Sequence, residues 1–209
     1  MIVGGKTKTV GEDKTVGEII DDVTKDMPYF RRSGGGITLS GGECLTQPEF
    51  AEGLLVCAKE YGLSTAVEST AFAPFEVIER ILPHLDYYLM DIKHMNSAKH
   101  KEFTTQPNEL ILENAKKVAA YENTKLTIRT PVIPTFNDTE DEIAEIAEFA
   151  ASLKVEQLHL LPYHRMGEDK YKGLGRRYGM SDIYPPTDEK MQRLKRAAEQ
   201  FDIKVQIGG

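Results

Sequence analysis

Ser33-Gly34-Gly35-Gly36-Ile37-Thr38-Leu39-Ser40-Gly41-Gly42-Glu43 decides how the rest of the chain is read. A short β-branched stretch lies between two glycine clusters. It predicts a buried strand that ends on bare backbone, with a carboxylate just beyond. Glycine carries no Cβ, so peptide groups there can touch a ligand directly. A strand leading into such a loop is where α/β folds place their ligands.

Outward from this stretch, short apolar segments alternate with longer amphipathic ones. Strands are expected at 37–40, 64–69, 87–93, 125–132, 157–163 and 204–207. Several read as continuously apolar, the pattern of a parallel sheet covered on both faces. Helices are expected at 15–27, 48–61, 74–82, 108–121, 139–153 and 187–201. Thr15 with Glu18, and Thr139 with Glu142, have capping-box spacing. Apolar stripes follow each box: Val16, Ile19, Ile20 and Val23 in one, Ile143, Ile146, Ala147 and Ala150 in the other. The β-α-β-α order implies right-handed crossovers and a parallel sheet, either doubly wound or a TIM-like barrel. Residues 167–186, rich in Gly, Arg, Lys and Tyr, form the longest irregular stretch and are expected to be functional.

The 209 residues suffice for one large core, and the formal net charge of -7 gives no reason to expect a nucleic-acid partner. Two cysteines, Cys44 and Cys57, are too few for a disulfide framework and fit a reducing cytoplasm. No apolar run approaches a membrane span, and residues 1–15 lack the apolar centre of a signal peptide.

Polar residues recur at the predicted C-terminal strand ends. Gly41, Gly42 and Glu43 close the first strand, Glu68 and Ser69 the second, Asp91 and Lys93 the third. Arg129 lies in the fourth, and His164 follows the fifth. In a parallel sheet these ends share one rim. Singly, Asp91 with Lys93 reads as a structural ion pair and His164 as a hydrogen-bonded structural residue. Together they suit a zwitterionic, hydroxyl-bearing ligand. Lys93 or Arg129 would hold a carboxylate, backbone carbonyls and Glu43 an ammonium, and His164 or Asp91 ribose hydroxyls.

At this point a family is recognisable. Ser40-Gly41-Gly42-Glu43 resembles the "GGEP" motif of radical S-adenosylmethionine enzymes. SGGGITLSGGE (33–43), AVEST (66–70), LMDIKH (89–94), IRTPVIP (128–134) and LLPYH (160–164) together resemble the glycyl-radical-enzyme activating enzymes, such as pyruvate formate-lyase activase. The resemblance implies an incomplete (β/α) barrel of the radical SAM type, lacking the first strand and the cluster loop. It implies that S-adenosylmethionine is held by Gly41, Gly42, Glu43, Asp91, Lys93, Arg129 and His164, with a monovalent cation near Glu68, Ser69 and Asp91. It also implies reductive cleavage of S-adenosylmethionine to a 5′-deoxyadenosyl radical. That radical takes hydrogen from a glycine of a partner glycyl radical enzyme, with a flavodoxin or ferredoxin as electron donor. The stretch Lys170-Tyr171-Lys172-Gly173-Leu174-Gly175 resembles a K-Y-x-x-L-G segment of these activases, either a partner contact or a solvated loop.

Two departures stand out. Cys44 occupies the place of the motif's proline, a bland replacement or a redox thiol. The CxxxCxxC motif whose thiolates hold a [4Fe–4S] cluster is absent from these residues. Residues 1–14 are expected to be the remnant of a ferredoxin-like insert or leader, and residues 15–209 a partial barrel domain. Such a truncated chain is expected to be inactive alone and to expose a sheet edge through which it dimerises. Two other readings compete: a catalytically dead, partner-binding remnant, and a lysine-dependent barrel lyase working through Lys93.

Overall fold

The computed structural model describes residues 2–3, 6–7 and 11–209. Two short antiparallel strands, β1 (Ile2–Val3) and β2 (Lys6–Thr7), stand apart from the main sheet. The expectation for residues 1–14 otherwise falls largely outside the described residues.

Six strands form one sheet: β3 (Gly36–Leu39), β4 (Ser64–Ser69), β5 (Tyr87–Asp91), β6 (Lys125–Val132), β7 (Gln157–Pro162) and β8 (Lys204–Ile207). They lie side by side in sequence order and every pairing is parallel. A doubly wound sheet reverses its strand order at a switch point. This one never reverses. β3 and β8 do not pair, so the sheet is an open part of a barrel.

Burial gives the same answer. Along β4, β5 and β6 buried and half-buried residues alternate. Val67, Tyr88, Met90, Ile128, Leu158, Leu160 and Val205 pack beneath the helices, against Leu55, Ile78, Ile111, Ile143, Ile146 and Leu194. Their neighbours Glu68, Asp91, Arg129 and His159 face the other side and are only partly covered. The expectation of two covered faces is therefore corrected. One face carries the core, as in a barrel, and polar side chains are tolerated on the other.

The helices are α1 (Val16–Val23), α2 (Met27–Ser33), α3 (Pro48–Glu60), α4 (Phe75–Ile81), α5 (Ser97–Thr104), α6 (Glu109–Ala119), α7 (Glu140–Ser152), α8 (Glu168–Gly173) and α9 (Asp188–Ala198). Both capping boxes form. The helix expected at 15–27 ends earlier, because Pro28 opens a new one, α2, at a first-turn position where its missing N–H costs nothing. α5 was not expected, having little apolar periodicity. Asn96 caps it by accepting from Lys99 N–H at 3.0 Å. The irregular stretch 167–186 contains α8.

No helix among the described residues is long and apolar enough to cross a membrane.

Candidate functional site at the C-terminal strand ends

β3 delivers the chain to Gly41, whose φ of +130° suits glycine and strains any other residue. Glu43 follows, and its carboxylate is fully engaged by the neighbouring strand end. Oε1 accepts from Ser69 Oγ at 2.7 Å and Leu45 N–H at 3.2 Å. Oε2 accepts from Thr70 N–H at 3.0 Å and Thr70 Oγ1 at 2.8 Å. Glu43 thus latches the glycine loop onto the end of β4, and the backbone of Gly41 and Gly42 is what remains available there.

On the open face a charged network runs across three strands. Arg129 Nη1 donates to Glu68 Oε1 at 2.7 Å. Its Nε and Nη2 donate to Asp91 Oδ1 at 3.1 and 2.9 Å. Ser40 Oγ donates to Glu68 Oε2 at 2.7 Å, tying in β3. Lys93 Nζ reaches Asp91 Oδ2 at 3.3 Å, the loosest contact of the set. The register explains the meeting: Asp91 and Arg129 are direct partners on β5 and β6. Glu68 lies one strand further and needs the long guanidinium to be reached.

The three residues named for a monovalent cation are all engaged by protein partners. The Arg129 guanidinium stands between Glu68 and Asp91. Ser69 is buried on the helix-covered face and committed to Glu43. Among the described residues no cluster of three or more His, Cys, Asp or Glu side chains could hold a metal ion. Nor do the cysteines offer a cluster site. Burial and the neighbouring Glu43 push the Cys44 thiol up to about 11, away from the thiolate form that a redox role would draw on.

His164 is exposed beyond β7 and takes no part in the network. The loop after it is pinned by Tyr163 OH to Tyr178 OH at 2.6 Å and by Arg165 against Tyr184 and Glu168.

Residues that the sequence reading missed hold the rim in place. Asn114 on α6 is fully buried and donates to Ala71 O and Ala73 O at 2.8 and 2.9 Å, holding Ala71 at a φ of +57°. His94 is 2% exposed and accepts Asn96 N–H at Nδ1, so its proton sits on Nε2, facing Glu142 Oε1 at 3.2 Å. Lys99 Nζ reaches the same Oε1 at 2.7 Å. Burial pushes Glu142 up, but donors from Lys99, Thr139 and His94 outweigh it and hold the carboxyl down at about 2. A depressed carboxyl stabilises the fold above its unfolded value of 4.5 and loses that contribution as pH falls toward 2. Stability should therefore fall by about 1–3 kcal/mol across that window, the lower figure allowing for solvent screening of the exposed Lys99, and Glu142→Gln should flatten this part of the profile. Thermal melts from pH 6 to pH 2.5 check it; identical slopes in both proteins would refute it.

The sequence profile described as "Radical SAM superfamily" matches residues 6–150. The chain belongs to the radical SAM superfamily. Its relatives within it are activating enzymes. It is 36% identical over 202 residues to the choline trimethylamine-lyase activating enzyme of Oleidesulfovibrio alaskensis, covering 95% of this chain and 65% of that protein. It is 44% identical over 174 residues to the isethionate sulfite-lyase activating enzyme of Desulfovibrio desulfuricans, covering 83% of this chain and 56% of that protein. The crystal structure of a domain of pyruvate-formate lyase-activating enzyme from Bacteroides vulgatus superposes with a TM-score of 0.70 at 33% identity, covering 84% of this chain and 99% of that one. The chain thus spans less than two thirds of the length of these two curated relatives.

Of the radical SAM positions expected from sequence, the structure brings Glu68, Asp91, Lys93 and Arg129 into one network. It places Gly41, Gly42 and Glu43 at the adjoining strand end and leaves His164 outside.

Proposed function

We propose that this chain is the S-adenosylmethionine-binding part of a glycyl-radical-enzyme activating enzyme. The observation that carries the reading is the Glu68–Arg129–Asp91–Lys93 network on the partly open face, beside a strand end whose glycine backbone is free. Its donor set fits the cosubstrate. Lys93, 22% exposed in its side chain and held by one long contact, can turn to a carboxylate. Asp91 and Glu68 have acceptor capacity for ribose hydroxyls. The bare peptide groups of Gly41 and Gly42 suit an ammonium, since the Glu43 carboxylate is already saturated by protein donors.

The two cysteines cannot supply three thiolates, so the residues do not fit an iron–sulfur cluster and no electron-transfer step is assigned to them. In the family such a cluster, with a flavodoxin or ferredoxin as donor, supplies the electron that cleaves the cosubstrate; this chain's side chains bind and orient. The partner on this reading is a glycyl radical enzyme, and Met166, Tyr171 and Leu174, exposed on α8 and its flanking residues after β7, support contact with it there. Among the described residues the outer edge of β3 has no strand partner, which supports self-association of the chain. The lysine-dependent lyase loses ground, because Lys93 is paired with Asp91 rather than held apart as a free amine.

Calorimetric titration with S-adenosylmethionine tests the reading. Saturable binding is expected, weakened about tenfold or more by Lys93→Ala, the value of one charge-assisted hydrogen bond. No heat at millimolar ligand would leave the partner-binding remnant as the better description.

A further inference from the structure

Past Asp91 the chain leaves the sheet, yet its next carbonyls are all taken by side chains. Ile92 O accepts from Thr130 Oγ1 at 2.9 Å, and Lys93 O from Asn137 Nδ2 at 2.6 Å. His94 O and Met95 O both accept from Asn108 Nδ2, at 2.6 and 2.9 Å. Thr130 and Asn137 are fully buried and Asn108 is 2% exposed. A buried polar side chain is costly unless satisfied, so three such residues converging on one irregular segment mark a conformation that is specified.

Asn137 does most. Its Nδ2 also donates to Pro131 O at 2.9 Å, and its Oδ1 accepts Ile133 N–H at 2.7 Å. One side chain therefore clamps the end of β6, which carries Arg129, to the backbone of Lys93. We propose that Asn137 is the positioning residue of the binding rim, fixing where Lys93 projects relative to Arg129 and Asp91. The inference rests on the binding role given to Lys93 above and assigns what holds that lysine in place.

The donor half of the amide does this. Asn137→Asp keeps the acceptor for Ile133 N–H but turns a carboxylate toward the carbonyls of Lys93 and Pro131. Thr130→Val is a milder second variant, nearly isosteric, that removes only the donor to Ile92 O. The readout is the rate at which Lys93 is acylated in the folded protein by an amine-directed reagent, followed by peptide mass spectrometry against the exposed Lys101 and Lys116. Asn137→Asp is expected to change the Lys93 rate about tenfold and leave the reference lysines alone, and Thr130→Val to change it less in the same direction. Titration with S-adenosylmethionine should show the same order of weakening. A Lys93 rate equal to wild type in Thr130→Val, and in Asn137→Asp where that variant folds, overturns the proposal. Because labelling needs no ligand, a protein that failed to bind S-adenosylmethionine would refute the proposed function while the rates still judged Asn137.

Discussion

Gly36→Ala is expected to cost about 3 kcal/mol or more and to detach β3 from the sheet. Gly36 pairs directly with Ser64 on β4. A Cβ there would lie 2.6 Å from Ser64 N and 2.5 Å from Ser64 C, and closer still to the carbonyl oxygen. These are backbone atoms of a paired strand, so no side-chain rotation relieves the clash. Among the described residues β3 is an edge strand, paired with β4 alone. Its shortest escape is to peel away, taking Ser40 from Glu68 and the glycine loop from its place. Gly42→Ala is the control. Its added Cβ meets nothing within 4 Å, and its φ is not positive. It should melt within about 0.5 kcal/mol of wild type, as exposed substitutions usually do. Denaturant melts, with hydrogen exchange at Thr38 and Leu39, measure both. A Gly36→Ala protein as stable as the control would mean that the β3–β4 register is wrong.

The contrast shows which parts of this fold a sequence displays. SGGGITLSGGE was legible because a glycine-bounded β-branched run says strand, and says bare backbone at its end. The capping boxes at Thr15 and Thr139 were legible because both partners lie three residues apart. The rim positions were legible through topology: parallel strands put all their C-terminal ends on one side. What escaped was long-range. Asn137 meets Lys93 across 44 positions and Asn114 meets Ala71 across 43, and nothing local distinguishes a buried clamping asparagine from a turn asparagine. The role of Glu43 as a latch was not legible either, because Ser69 and Thr70 lie 26 and 27 positions away. His164 stands just past the end of β7, exposed and outside the charged network. The reach of Arg129 to both Glu68 and Asp91 was likewise not legible, since strand ends can be counted from sequence but a side chain's span between them cannot.

That reach underlies the second large expectation. Arg129→Met should destabilise the protein by about 2–4 kcal/mol, below the full cost of breaking a buried pair because these side chains keep some solvent. They are 14% exposed for Arg129, 20% for Asp91 and 31% for Glu68. Methionine retains most of the packing volume, so the loss is electrostatic. Two carboxylates on one sheet face lose the guanidinium that faces both, leaving Asp91 only Lys93 and Glu68 only Ser40. Arg129→Lys should recover less than half, since a single ammonium cannot span two carboxylates with the three N–H groups that Arg129 uses. Salt separates this cause from lost packing. Screening should raise the melting temperature of Arg129→Met more than that of wild type between low salt and about 1 M, where the Debye length falls to ~3 Å. The double variant Arg129→Met, Asp91→Asn should then be more stable than Arg129→Met alone, because it removes one of the stranded charges. If instead the two losses simply add and salt changes nothing, Arg129 acts through its aliphatic stem. The charged rim would then not be the element that joins β4, β5 and β6 into a single binding surface.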